Sequence, residues 1–336
     1  MKTISMISVI VCTYNQEKTI GRTLDSILCQ KCHLPFEIVI GEDYSTDGTS
    51  DICKDYAQRY PDQIRLISNP QNKGLVDNYF DCLLTCKGEL IADCAGDDFW
   101  VDDQKLEKAL RIMESDDQIT LVHTAWQSYN EQTQTASDSP QQSFPAPITD
   151  GKTMLEAILT QTNMPVIQLC TSLYRADVIK DAYRAHTSMF RGTDIVCEDL
   201  QVSFFEAMSG KIAYLPEVTL HYSQGENSIS SPKDIRKQFD FFKKATTQSY
   251  VMAETFGIKS QTTESFFRQR TFAMLMHAFR AHDVKMRNEA LDCQKRWDAN
   301  ENISIRMIKA ITACEPLWTC ALALRKGVLR LKQVCR

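Results

Sequence analysis

Hydrophobic and polar positions change period repeatedly along the first third of the chain. Ile7-Ser8-Val9-Ile10-Val11 and Phe36-Glu37-Ile38-Val39-Ile40 are short β-rich runs, and Ile64 to Ile67 and Leu90 to Cys94 are two more. Between them apolar residues recur at helical spacing. Ile20, Leu24, Ile27 and Leu28 mark a helix within Thr19 to Leu28. A second helix, capped by Thr49 or Ser50, runs to about Tyr60, and a third spans Leu75 to Thr85. Strands alternating with helices predict parallel βαβ units with right-handed crossovers.

The alternation continues with a helix at Gln104 to Met113 and a strand at Ile119 to Ala125. Residues 130–150, rich in Gln, Ser, Thr and Pro, read as a mobile surface loop near an acceptor site. A helix from about Thr153, a strand around Leu169 to Tyr174 and a helix from Ala176 follow. A helix from Asp199 to near Gly210 then leads to strands at Lys211 to Leu215 and Val218 to Tyr222. Beyond about Ser231 the pattern is almost wholly helical, with candidates at Lys237 to Phe256, Gln261 to Trp297 and Ile303 to Lys332, the last interrupted at Pro316. The reading is an α/β domain over 1–230, with halves at about 1–125 and 126–230, and a helical region over 231–336.

Composition narrows the class. Hydrophobic content of 43% and charged content of 24% are ordinary for a globular protein. A formal net charge of -5 gives no electrostatic case for nucleic acid as a partner. The N-terminus enters strand-like sequence after one Lys, so no signal peptide is expected, and no run of about 18 apolar residues predicts a membrane span. Thirteen cysteines without an export signal suggest reduced thiols and a cytoplasmic setting. Cys29-Gln30-Lys31-Cys32 lacks a second pair at zinc spacing, and Cys82 and Cys86 fit core packing. The last segment mixes Leu317, Trp318, Leu322 and Leu324 with Arg325, Lys326, Arg330 and Lys332. Two readings stand for it: a basic amphipathic helix lying peripherally on the inner face of an anionic membrane, or a helix packed on the catalytic domain with a solvated basic face.

The most informative chemistry is Asp97-Asp98, which follows the apolar run to Cys94 and the turn-forming Gly96. In an open α/β sheet, ligands bind at the C-terminal ends of the strands. Two adjacent carboxylates there repel each other unless a cation sits between them, and a hard divalent ion carrying a phosphorylated ligand fits. Two other post-strand loops are polar: Cys12-Thr13-Tyr14-Asn15-Gln16, and Gly41 to Thr49 with Glu42, Asp43, Ser45, Thr46 and Asp47. Together the loops offer an aromatic surface for a base (Tyr14), an acceptor for a base N–H or ribose hydroxyl (Asp43), and a cation site for phosphates (Asp97 and Asp98).

At these residues the chain resembles the family 2 glycosyltransferases. The matching motifs are strand-Thr13-Tyr14-Asn15, Glu42-Asp43-x-Ser45-Thr46-Asp47-Gly48-Thr49, Asn72-Lys73-Gly74 and Gly96-Asp97-Asp98-Phe99-Trp100, in the family's order and spacing. Glu198-Asp199, followed by Gly210-Lys211 and Tyr214, extends the likeness over roughly residues 5–230. The resemblance implies the GT-A nucleotide-diphospho-sugar transferase fold, a mixed and mostly parallel sheet flanked by helices, here with a C-terminal helical extension. It implies inverting transfer from a nucleotide sugar, UDP-linked by preference, to a glycan or lipid-linked saccharide in cell-surface polysaccharide biosynthesis. Cys12, Thr13, Tyr14, Asn15, Asp43, Asn72 and Asp97 would contact the donor, and Asp97 and Asp98 would hold Mg²⁺ or Mn²⁺. Asp199 would be the general base, with Glu198 beside it.

Relatives often carry a further acid where this chain has Ala95, and Tyr222 is followed by Ser223 where many have Tyr-Arg and a His. His221 then stands either near the diphosphate or in a structural role. The competing classes are a sugar-nucleotidyltransferase, which normally needs a Gly-rich, Arg-bearing first loop where Thr13-Tyr14-Asn15 stands, and a catalytically silent nucleotide-sugar-binding scaffold. A dinucleotide dehydrogenase is disfavoured because Gly-x-Gly-x-x-Gly is absent.

Overall fold

The structure is a computed structural model that describes residues 4–138, 147–161, 167–192, 194–224 and 234–334, with side chains to residue 325. It divides into two compact units, Met1–Glu226 and Asn227–Arg336.

The first unit is built on one ten-stranded sheet. Its strands are β1 (Ile7–Thr13), β2 (Phe36–Glu42), β3 (Ile64–Ser68), β4 (Leu90–Asp93), β5 (Phe99–Trp100), β6 (Ile119–Asn130), β7 (Thr135–Ala136), β8 (Ile148–Asp150), β9 (Leu173–Arg175) and β10 (Lys211–Gln224). The order is β3-β2-β1-β4-β9-β6-β10-β5, with β7 on β6 and β8 on β10. The first four strands are mutually parallel, as are β6 and β10; β9 runs antiparallel between β4 and β6. Helices α1 (Ile20–Leu28), α2 (Thr49–Arg59), α3 (Leu75–Thr85), α4 (Lys105–Ser115), α5 (Leu155–Thr160), α6 (Ala176–Ala185) and α7 (Asp199–Ser209) complete it. Helices cover both faces of β1, so its apolar run is continuous and not alternating. The one polar interruption, Ser8, is buried and donates to Glu37 Oε1 at 2.7 Å, while Glu37 also accepts the Lys87 N–H at 2.8 Å.

Several boundaries differ from the sequence reading for identifiable reasons. Gly48, not Thr49 or Ser50, precedes α2, and the Thr49 hydroxyl instead bonds Asp47 and accepts the Gln16 N–H. The strand expected around Leu169 to Tyr174 begins as a 3₁₀ turn over Leu169–Thr171 and becomes β9 only at Leu173. The two strands expected at 211–222 are one, β10, whose register against β6 slips between Leu215 and Val218. Pro216 lies in that slip; lacking an N–H, it bends the strand without ending it. In the stretch read as a loop, β7 and β8 add short edge pairings, and residues 139–146 lie outside the described residues.

The second unit is helical: α8 (Ile235–Thr255), α9 (Gln261–Ala281), α10 (Val284–Arg296), α11 (Ile303–Ala313) and α12 (Glu315–Val334). Asp234, Ser260, Asp283 and Asn302 cap four of them with side-chain oxygens. The stretch expected as helix from Gln261 to Trp297 breaks at His282, which sits at φ 54°. The expected interruption falls at Cys314; Pro316 lies in the first turn of α12, where its missing N–H costs nothing. Phe239, Met252, Met274, Leu275, Met286 and Trp297 form the interior.

Candidate active site at the C-terminal edge of the sheet

Because β1 to β4 are parallel, the loops that follow them leave from one edge and meet there. The Asp43 N–H donates to the Thr13 carbonyl at 3.0 Å, and the Gly96 N–H donates to the Cys12 carbonyl at 3.0 Å. The Thr13 hydroxyl donates to Gln16 Oε1 at 2.8 Å. A side chain at Gly96 would strike Thr13 Cβ at 2.8 Å and the Gln16 amide oxygen, so glycine is required for the first and fourth loops to close on each other. Asn15, at φ 53°, donates its N–H to Ser45 Oγ at 3.0 Å and accepts the Thr46 N–H at 2.8 Å. Tyr14 stays 45% exposed and offers its ring to the opening. The Cys12 thiol is pushed up by a hydrogen bond with Cys82 and by burial. Asn15 therefore holds the first two loops together by its side chain, while the Cys12 thiol meets α3.

Asp43 is buried and already committed. Its Oδ1 accepts from Asn69 Nδ2 and the Lys73 N–H, both at 2.9 Å, and its Oδ2 accepts the Gly74 N–H at 2.8 Å. Asn72 donates to the Asp43 carbonyl at 3.2 Å. These bonds fold the loop after β3 back onto β2, with Gly74 at φ 84° making the turn. Of the carboxylate's four lone-pair directions, one remains for a ligand.

Asp97 and Asp98 differ from each other. The Asp97 carbonyl accepts from Arg22 at 3.0 Å and from the Ser223 hydroxyl at 2.6 Å. Burial raises its carboxyl above the usual range. Asp98 is 1% exposed; its Oδ1 accepts the Ser223 N–H at 2.9 Å, and its Oδ2 is buried with no hydrogen-bond partner among the described residues. Burial, and then the Asp97 charge, pushes Asp98 well above its ordinary value. A buried carboxylate oxygen left bare beside a second carboxylate is the donor set of a hard cation. The two aspartates therefore fit a divalent ion even without an acid at position 95.

Three residues around this pair were not legible in the sequence. The Arg22 guanidinium lies 4.0 Å from the Phe99 ring centroid and 5.3 Å from that of Tyr129, and pairs with Glu131 at 2.6 Å. Ser223 Oγ lies 2.6 Å from the Asp97 carbonyl and 2.7 Å from Glu131 Oε1, two acceptors for its single proton. Arg22, Glu131 and Ser223 thus tie α1 and the ends of β6 and β10 to the aspartate loop. Behind it, Lys105 is fully buried with Nζ donating to the Thr171 carbonyl at 2.8 Å, and burial lowers it to about 8. Such contacts link residues far apart in sequence and leave no local signature. His221 stacks on Tyr129 with centroids 5.5 Å apart, and burial lowers it.

Glu198 precedes α7 and Asp199 opens it. Asp199 Oδ1 accepts the Leu169 N–H at 3.2 Å, which ties α7 to the 3₁₀ turn beside β4. Burial raises Asp199 to about 6. Burial, then the Asp199 charge, raises Glu198 well above its ordinary value, and Glu198 Oε2 has no hydrogen-bond partner among the described residues. Tyr222 and Cys170 feel the charges of both Asp98 and Asp199. Asp93 is buried next to the Tyr79 and Tyr174 hydroxyls, which pair at 2.5 Å.

A parallel sheet with a switch to mixed pairing, and acids gathered at its C-terminal edge, define a nucleotide-sugar transferase fold. The chain belongs to glycosyl transferase family 2, whose model matches residues 8–182. It is 29% identical over 250 residues to an uncharacterized protein of Mycobacterium tuberculosis, covering 74% of this chain and 66% of that one, so it spans just under two thirds of that relative's length. Over 111 residues it is 33% identical to Escherichia coli WfaP, named a UDP-Glc:α-D-GlcNAc-diphosphoundecaprenol β-1,3-glucosyltransferase, covering 33% of this chain and 42% of that one. The fold is GT-A. Staphylococcus aureus TarS in complex with UDP-GlcNAc superposes with a TM-score of 0.54 at 16% identity, covering 88% of this chain and 93% of that one. A Pyrobaculum calidifontis mannosyltransferase in complex with GDP-Man and Mn²⁺ gives 0.53 at 15%, covering 98% and 86%.

Proposed function

We propose that this chain transfers a sugar, with inversion, from a nucleoside-diphosphate donor to a saccharide or lipid-linked saccharide of cell-surface polysaccharide. Residues 1–230 would form the catalytic domain, with donor binding in about 1–125 and the acceptor in 126–230. One observation carries the reading: the Asp98 oxygen left buried and bare beside the Asp97 charge, in the loop after β4. A uridine diphosphate donor is favoured by the UDP-GlcNAc bound to TarS and the UDP-Glc substrate of WfaP, and the Mn²⁺ complex of the Pyrobaculum calidifontis mannosyltransferase, which shares the fold, supports a metal.

Asp97 and Asp98 would hold Mg²⁺ or Mn²⁺, which when bound offsets charge on the departing diphosphate. Tyr14 would cover the base, and the free lone pair of Asp43 would accept from the base or ribose. Thr13, and the backbone at Cys12, Asn15 and Asn72, would line the nucleotide. Asp199, with a value of about 6, is charged at neutral pH and basic enough to take the acceptor hydroxyl proton as that oxygen attacks the anomeric carbon. Glu198 would stay protonated and hold the neighbouring charge in place. The described cysteines are free thiols, in keeping with a cytoplasmic site of action. The test is a nucleotide-sugar panel assayed for diphosphate release with Mn²⁺ and with EDTA. Metal-dependent release from one uridine diphosphate sugar is expected, and no release from any donor overturns the reading.

A further inference from the structure

Helices α11 and α12 carry two apolar stripes on opposite sides. The inner one, Ile305, Ile308, Thr312 and Trp318, is buried, and Trp318 Nε1 donates to the Phe279 carbonyl at 3.0 Å. The indole that the sequence offered as a membrane anchor is therefore spent inside the helical unit. The outer residues are Ile303, Met307 and Ala310 on α11, spaced by four and three, and Leu317 and Leu324 on α12, spaced by seven, and every one is exposed. Ile303 is 75%, Met307 60%, Leu317 55% and Leu324 72% exposed. An apolar row repeated at helical period is more than the scattered exposed residues a surface normally carries.

The charge on this segment is opposite to that of the rest. Residues 303–336 hold seven Lys or Arg against the single Glu315, in a chain whose formal net charge is -5, so residues 1–302 carry an excess of eleven negative charges. Of the described cations, Arg306 and Lys309 pair with Glu301. The net basic charge of the segment, with its exposed apolar residues, matches an anionic lipid surface, where apolar side chains enter the acyl boundary and basic ones meet the headgroups. Among the described residues no single helix is long and apolar enough to cross a membrane. Ile303–Ala313 and Glu315–Arg325 reach that hydropathy only together, and they bend by 112°.

We infer that the α11–α12 elbow is a peripheral docking surface for an anionic lipid bilayer, entered by Ile303, Met307, Leu317 and Leu324. A lipid-linked acceptor would be met at such a surface, but the inference stands on the helical unit alone and is tested without donor or acceptor. Full-length protein is floated with phosphatidylcholine vesicles and with vesicles containing 30% phosphatidylglycerol. At least tenfold more protein should float with the anionic vesicles, and 0.5 M NaCl should reduce that share. Met307→Glu with Leu317→Glu should abolish flotation while leaving the melting temperature within about 2 °C, because both side chains are exposed. Equal flotation on both vesicle types, or full binding by the double variant, overturns the inference. So does a dimer in light scattering that the double variant dissolves, which would make the stripe a contact between copies. Donor affinity measured by calorimetry on the same samples keeps a failure of the catalytic reading distinct.

Discussion

Asp98 Oδ1 accepts the backbone N–H of Ser223 at 2.9 Å across 125 residues of sequence, and that bond leaves Oδ2 buried and bare. The last strand of the sheet thereby holds one oxygen of the aspartate and leaves the second beside the Asp97 charge. A backbone donor serves here better than a side chain, since it cannot swing away when a cation arrives. The arrangement costs stability until a positive charge is supplied, because two desolvated carboxylates then adjoin.

That cost gives a measurable sign. The Asp98 carboxyl is raised in the folded state, so the unfolded chain releases its proton at lower pH and stability falls as pH rises toward the folded value. In EDTA at pH 8, Asp98→Asn should melt at or above the parent's temperature, since it removes an uncompensated charge and keeps an acceptor for Ser223. Mn²⁺ should raise the parent's melting temperature by several degrees and leave the variant unmoved. The same Mn²⁺ response in both proteins would remove Asp98 from the cation site.

Asp43 should show both a structural and a recognition role. Its carboxylate accepts three hydrogen bonds that shape the loop after β3, and each such bond to a charged group contributes about 1.5–3 kcal/mol. Asp43→Ala is therefore expected to lower the melting temperature by several degrees and to lose donor binding together. Asn69→Ala removes one partner and keeps the carboxylate, so it should cost stability without changing the preference for uridine over guanosine nucleotides. A shift of that preference in Asn69→Ala would assign base selection to the loop and not to Asp43.

The limits of the sequence follow from the same contacts. The edges of α3 at Leu75 and Thr85 and the core of β1 were readable because burial imposes a local period on apolar residues. The Asp97-Asp98 pair was readable because adjacent acids after a strand have few structural uses. Arg22, Glu131 and Ser223 were not, since their meeting depends on where β6 and β10 end in space. The antiparallel β9, three residues slotted between β4 and β6, was equally hidden: so short a strand has almost no period to read. Asp43 looked free in sequence because its partners, Asn69, Lys73 and Gly74, follow a different strand.

Arg22 should act as a positioning residue for the aspartate loop. It stacks over Phe99, pairs with Glu131 and donates to the Asp97 carbonyl, which needs a planar group with several donors. Arg22→Lys is expected to weaken Mn²⁺ binding by about tenfold, nearly as much as Arg22→Ala, because an ammonium cannot stack and fork at once. Glu131→Gln should be milder, since an amide oxygen still accepts from Arg22 and Ser223. Full metal affinity in Arg22→Ala, measured by calorimetry, would show that Ser223 alone holds the loop.

Asp199 sets the pH dependence of transfer. Burial raises it to about 6, so the base form fills in as pH rises through that value, and the transfer rate should climb between about pH 5 and 7 and then level. Because Glu198 adjoins it, that limb belongs to the pair. Asp199→Asn should keep donor affinity, as its hydrogen bond runs to Leu169 and not to a donor loop, and cut transfer by about 10² or more. Stability should move the other way. The unfolded carboxyl ionises near its ordinary value and the folded one near 6, so above pH 6 the parent folds with a buried charge that Asn lacks. Asp199→Asn should then melt higher than the parent at pH 8 and close to it at pH 4. Glu198→Gln should leave the limb and its midpoint nearly in place, because Glu198 is raised well above its ordinary value and an uncharged amide replaces an uncharged acid. Intact transfer in Asp199→Asn with the limb unchanged would take α7 out of the reaction, and loss of the limb in Glu198→Gln alone would move the base to Glu198.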